Sequence, residues 1–250
     1  MILLTFNILN SKSNFRGNYQ LKEEEIQLIT EKNTLAILRT LEQHQILATF
    51  FLEISLVSKL QNVVKKIVEK GHEISFYNEN SSWTDIEAAK NEVELLIEKR
   101  IRGIRQKELV IPVAELKKLE FSYISNIENA DILFPLKRLK RGTEIKVESG
   151  MNLIPESISP YSQLPYNDFV FQMLPTQLYK NMVLETIKKE DFVLIYLDSW
   201  QFTDFEKYLF GIPFYRKYNA GKKMEDKLES FLTWMNEEEL AFSRMKDFVF

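Results

Sequence analysis

Short unbroken apolar runs alternate along this chain with longer stretches in which apolar residues recur at helical spacing. The runs fit strands buried on both faces and the stretches fit amphipathic helices, so the alternation predicts βα units around a largely parallel sheet or barrel. Residues 3–7 read as the first strand. Within 34–43, Leu35, Ile37, Leu38 and Leu41 fall on one helical face, and 48–54 follow as an almost continuous apolar strand. The next helix, 57–69, groups Leu60, Val63, Val64, Ile67 and Val68, and Gly71 is placed to stop it.

The same pattern predicts strands at 73–77, 101–104, 121–124 and 192–197, and helices at 113–119, 177–188 and 222–235. Between the first and second of these strands, Thr84 and Glu87 have the spacing of a capping box for a helix that buries Ile86, Val93, Leu96 and Ile97. An irregular stretch, 131–167, holds four of the seven prolines, which argues against regular elements there. Its Arg141-Gly142-Thr143 turn, between 136–140 and 144–148, suggests a hairpin or bulged strands laid over the barrel. No repeat or linker interrupts the 250 residues, so one domain over 1–250 is expected, with an insertion around 131–167 and a C-terminal helix around 222–235.

Composition narrows the function classes. A net charge of -3, with both signs interspersed, provides no basic footprint for nucleic acid or an anionic membrane. With no cysteine, thiolate metal sites and cysteine nucleophiles are excluded. Met1 leads directly into an apolar strand without a basic region or cleavage site, and no apolar run is long enough for a membrane helix, so a cytoplasmic protein is expected. Glycine-rich phosphate loops, H-E-x-x-H and G-x-S-x-G are all absent.

The only histidines, His44 and His72, each follow a helix and precede a strand. In a parallel barrel the active site forms at the other face, at the strand C-termini, so both histidines read as loop or cap residues. The strand C-termini instead offer Asn7, Glu53, Tyr77 with Asn78, Arg105, and Asp198 with Trp200. Without imidazole, this set supplies a tight zinc site poorly and leaves at most a weak oxygen-ligand site from Asp198 and Glu53.

Several segments resemble the polysaccharide deacetylases of the NodB-homology class. Residues 35–52, LAILRTLEQHQILATFFL, are similar to that family's "L..LE.HGI.ATFF" pattern, and VVKKIVEKGHEIS follows as its "GHEI" segment does. IRGIRQKEL, FVFQMLPTQLYK, VLIYLDSWQF and PFYRKYNAGKKMEDKLESFL continue the likeness in order, and resemble most a subgroup found beside exopolysaccharide gene clusters. The resemblance implies an α/β fold, a single-domain distorted (β/α) barrel, and a metal-dependent removal of acetyl groups from N-acetylated sugars.

It also implies where that chemistry has been replaced. The family's aspartate base falls at Asn7, its first metal carboxylate at Ile8 or Leu9, its two histidine ligands at Tyr77 and Ser81, and its histidine acid at Asp198. Arg105 and Trp200 are retained, while the proline expected after the arginine is Gln106. The expectation is therefore a catalytically silent relative with no metal or other cofactor, in which Asn7, Tyr77, Asn78, Arg105, Asp198 and Trp200 line a groove. Its expected role is in polysaccharide or cell-envelope biosynthesis, with a saccharide or a biosynthetic protein as partner. Two alternatives are an active carbohydrate hydrolase with a rearranged, non-histidine metal site and a purely structural interaction partner. The latter would use the aromatics of SSWTD, KYLFGIPFYRKY and MKDFVF.

Overall fold

The computed structural model describes residues 1–9, 22–106, 110–126, 144–207 and 214–249. Its strands are β1 (Ile2–Ile8), β2 (Thr49–Glu53), β3 (Glu73–Asn78), β4 (Gly103–Gln106), β5 (Tyr123–Asn126), β6 (Lys146–Glu148), β7 (Met151–Ile154) and β8 (Val193–Asp198). They form one curled sheet in the order β6-β7-β5-β4-β3-β2-β1-β8, parallel throughout except for the β6–β7 hairpin. The outer edge of β8 is covered by an irregular segment: Leu194 N–H donates to Ser157 Oγ at 2.8 Å and Tyr196 N–H to the Tyr166 carbonyl at 3.1 Å. An edge that would otherwise present unpaired backbone is thereby satisfied.

Among the described residues nine α-helices accompany the strands: α1 (Glu23–Gln43), α2 (Gln61–Glu69), α3 (Trp83–Ile97), α4 (Val113–Lys118), α5 (Asp168–Met173), α6 (Thr176–Ile187), α7 (Phe214–Lys217), α8 (Lys222–Glu237) and α9 (Met245–Val249). Strand alternation divides the core in two. Ile2, Leu4, Phe6 and Ile8 of β1 pack against the helices with Phe50, Leu52, Phe76 and Ile104. Leu3 faces the barrel interior with Phe51, Tyr77, Tyr123 and Leu194. None of the helices among the described residues is long and apolar enough to cross a membrane.

The βα order follows the sequence pattern, with instructive departures. Helix α1 begins at Glu23 rather than 34, because its buried face continues through Ile26, Ile29, Thr30 and Asn33. Two of those residues are polar and break the apolar pattern, yet each is satisfied: Thr30 Oγ1 donates to the Ile26 carbonyl and Asn33 Nδ2 to Thr203 Oγ1. The cap of α3 is Ser82, not Thr84, and its box partner is Asp85 rather than Glu87. Thr84 Oγ1 lies 2.8 Å from Ser82 Oγ within the first turn. The hairpin turns at Ser149 and Gly150, both at positive φ, as a tight two-residue turn requires. The turn expected at 141–143 lies outside the described residues.

At the lower end of the barrel the chain's C-terminal segment acts as a floor. Met245, fully buried, points into the interior cluster, and its N–H donates to Thr49 Oγ1 at 2.9 Å. Lys246 N–H donates to Glu73 Oε2 at 2.9 Å, while Tyr123 OH and Thr49 Oγ1 each donate to the same carboxylate at 2.8 Å. Tyr123 fits here only because Gly103 lies beside it: a Cβ on Gly103 would fall 2.0 Å from Tyr123 Cζ.

Candidate functional site

Register brings the expected strand-end residues together. Asn7 pairs across the sheet with Asp198, Tyr77 with Arg105, and Arg105 with Ser125. Because strand residues alternate, Thr5, Asn7, Tyr77, Arg105, Tyr196 and Asp198 all belong to the inward-facing set.

Arg105 is the centre of the arrangement and has no exposed surface. Its Nη1 donates to Asn7 Oδ1 at 2.6 Å, Nη2 donates to Thr5 Oγ1 at 3.1 Å and to Ser125 Oγ at 2.9 Å, and Nε donates to Ser125 Oγ at 3.1 Å. The guanidinium lies 3.8 Å from the Phe51 ring centroid and 5.4 Å from that of Tyr196. Burial lowers its pKa to about 10, against the favourable charges of neighbouring tyrosines and Asp198, so it stays cationic at neutral pH.

Asn7 carries that charge's influence outward. Its Oδ1 is taken by Arg105, and its Nδ2 donates to Asp198 Oδ1 at 2.8 Å. Within an amide only the oxygen can accept from a guanidinium and only the nitrogen can donate to a carboxylate, so these two contacts fix which way the Asn7 amide points. The second Asp198 oxygen accepts from Trp200 Nε1 at 3.0 Å. Burial pushes the Asp198 carboxyl up, opposed by these two donors and by Arg105 and Arg216.

Three further groups belong to the site, and the sequence pattern did not single them out. Asp168, in the first turn of α5, has its pKa pushed up to about 8 by burial and by the charge of Asp198, with Arg216 opposing. Arg216 of α7 lies 5.4 Å from the Trp200 ring. Glu156 Oε1 accepts from Tyr196 OH at 2.9 Å. Their approach to Asp198 depends on the path of the chain after β7 and after β8, for which no spacing rule exists.

Other expected residues are placed differently. Asn78 is adjacent to Tyr77, so alternation turns it to the helix-facing side. There Asn78 Nδ2 donates to Gln106 Oε1 at 3.3 Å, and Asn78 Oδ1 accepts from Ser81 N–H at 2.8 Å, which makes the pair a turn device. Trp200 and Tyr77 are 2% and 6% exposed, so they wall the interior more than they line an open groove. Tyr77 OH is pushed up by burial and by Asp198. His72 lies at the lower end, where its Nδ1 accepts from Ala48 N–H at 3.2 Å and burial lowers its pKa to about 4. His44 ends α1, and its carbonyl accepts from Asn236 Nδ2.

This donor set does not fit a divalent metal. Asn7 Oδ1 faces the Arg105 cation, each Asp198 oxygen already accepts a hydrogen bond, from Asn7 or from Trp200, and Tyr77 and the turn residue Ser81 supply no imidazole. Glu53 Oε1 accepts from Ser55 Oγ at 2.5 Å. Among the described residues no group of three or more His, Cys, Asp or Glu is arranged to hold a metal ion. As an acid or base, Asn7 is inert, so proton chemistry at these strand ends falls to Asp198 and the half-buried Asp168.

The fold and site define the class first: a curled, open (β/α) barrel with its polar constellation at the strand C-termini. The family model for polysaccharide deacetylase matches residues 2–105. A solved structure of a "probable polysaccharide deacetylase" from Pseudomonas aeruginosa PAO1 shares the fold at a TM-score of 0.63 and 12% identity, covering 99% of this chain and 89% of that one. A CE4 family pseudoenzyme from Bacillus anthracis matches with a TM-score of 0.52 and 13% identity, covering 100% of this chain and 65% of its own. A mutant CE4 family pseudoenzyme with restored enzymatic activity matches with a TM-score of 0.54 and 11% identity, covering 100% and 67%. This chain therefore spans about two thirds of the length of those pseudoenzymes. No curated protein matches it.

Proposed function

We propose that this chain is a polysaccharide-deacetylase-like protein that has given up metal-dependent deacetylation and acts in polysaccharide or cell-envelope biosynthesis by binding a saccharide or a biosynthetic protein. The observation that carries this reading is the Arg105–Asn7–Asp198 chain. Deacetylation needs a carboxylate base and a metal-bound water. Here an amide without useful basicity takes the place of the base, its oxygen accepting from Arg105 and its nitrogen donating to Asp198. The saccharide reading draws on the Tyr77 and Trp200 rings at the strand ends, which must be uncovered before they can stack on a sugar.

Elemental analysis of the purified protein and an acetate-release assay on chitooligosaccharides with added zinc test it. The expected result is substoichiometric metal and no acetate. One equivalent of tightly bound zinc together with acetate release overturns the proposal.

A second reading, a hydrolase with rearranged acids, draws on Asp168, whose carboxyl is held near neutrality beside Asp198. It requires turnover that disappears in D168N.

A further inference from the structure

The curled sheet has two edges, and the chain treats them differently. At β8 the segment 157–166 hydrogen-bonds to the outer edge, whereas among the described residues no strand pairs with the outer edge of β6. That open edge is nevertheless held in place. Lys117 Nζ donates to the Gly150 carbonyl at 3.0 Å, Asn152 N–H donates to the Ser122 carbonyl at 3.1 Å, and Ile145 packs on the interior cluster. A fixed strand with an unpaired side is a template for another strand.

The register of the hairpin decides which backbone groups face outward. Glu148 and Met151 close the two-residue turn at Ser149 and Gly150, followed by Val147 with Asn152 and Lys146 with Leu153. The closing pair of such a turn exchanges its hydrogen bonds within the hairpin, and the pattern alternates from there. Val147 therefore directs its N–H and carbonyl away from β7, and its side chain is 71% exposed. Lys146 and Glu148 flank it, both exposed and of opposite charge.

We propose that β6 is a contact between two copies of this chain, its outer edge pairing antiparallel with β6 of a second copy about a two-fold axis at Val147. At that register the two Val147 residues exchange both backbone hydrogen bonds, and each Lys146 stands directly opposite the Glu148 of the other copy. A two-residue slip in either direction sets Lys146 against Lys146 or Glu148 against Glu148, and like charges directly opposite are destabilising. Lys-Val-Glu is thus complementary to itself in one arrangement, as an isologous contact requires, while its charges deter an apolar strand. The contact is short, so the association is reversible and depends on concentration. Asp198 lies on β8 at the far side of the sheet order, so the strand-end site stays outside the contact.

Sedimentation velocity on the full chain, over a series from micromolar to near-millimolar protein, tests this. Wild type should pass from monomer to dimer as concentration rises. K146E and E148K each turn both cross-copy pairs into like charges and should weaken the dimer about tenfold. An equimolar mixture of those two variants should recover it, because every such pair in the mixed dimer is again Lys with Glu. V147P removes the outward N–H and should abolish association, with thermal denaturation to confirm folding. A wild type that stays monomeric throughout overturns the proposal. So does a dimer indifferent to V147P, or single variants that weaken association without recovery in the mixture.

Discussion

Asn7 and Asp198 lie 191 residues apart in the chain and 2.8 Å apart in the fold, joined Nδ2 to Oδ1, with Arg105 on the far side of the same amide. Charge at the strand ends is balanced through this relay. Arg105 has no exposed surface, and each Asp198 oxygen accepts one hydrogen bond, from Asn7 Nδ2 and from Trp200 Nε1.

The relay predicts a non-additive pair of substitutions. D198N alone leaves two amides facing each other, and N7D alone sets two carboxylates together beside one guanidinium. In the N7D/D198N double variant the order of donors and acceptors is restored from Arg105 outward. Chemical denaturation should show a coupling of about 1–3 kcal/mol in favour of the double variant. Additive losses would mean that the relay holds nothing.

Asp168 makes stability depend on pH in a definite direction. Its folded-state pKa is raised, to about 8, so the unfolded chain releases its proton first as pH rises. The stability it contributes is complete below about pH 4 and is lost as pH climbs through about 8. D168N should flatten that slope and exceed wild type in stability at pH 8, as read from urea midpoints at pH 5 and pH 8.

His72 acts in the opposite sense. Buried neutral with a pKa of about 4, it contributes stability that is present above about pH 6.5 and lost as pH falls through 4. The loss is on the order of 3 kcal/mol by linkage. H72N preserves an acceptor for Ala48 N–H and should remove the acid-sensitive limb, whereas H72L should destabilise at every pH.

Gly103 is required by its neighbour rather than by its own backbone. G103A drives a methyl into the Tyr123 ring and should cost about 3 kcal/mol or more. Y123A empties the space that this methyl needs, so the two losses should be clearly less than additive in thermal denaturation.

The floor of the barrel is testable by truncation. Deleting 243–250 uncovers Met245's place in the interior and removes one donor from the buried Glu73 carboxylate. A loss of about 2–4 kcal/mol is expected from denaturation curves. An unchanged midpoint would show that the segment is not docked.

The sequence by itself determined the βα order, most strands to within a residue or two, and the set of polar groups at the strand C-termini, because apolar periodicity is a local property of the chain. It also contained, unused, the fact that Tyr77 and Asn78 cannot face the same side, since adjacent strand residues alternate. It missed the first turns of α1 because Thr30 and Asn33 are polar yet buried, a combination that only their distant or back-bonded partners permit. Tertiary structure alone decided that Asn7 is locked between Arg105 and Asp198, that Asp168 and Arg216 join them, and that Glu73 is covered by Lys246. Each of these depends on which distant segments the closing sheet brings together, and partners of that kind leave no period in the chain.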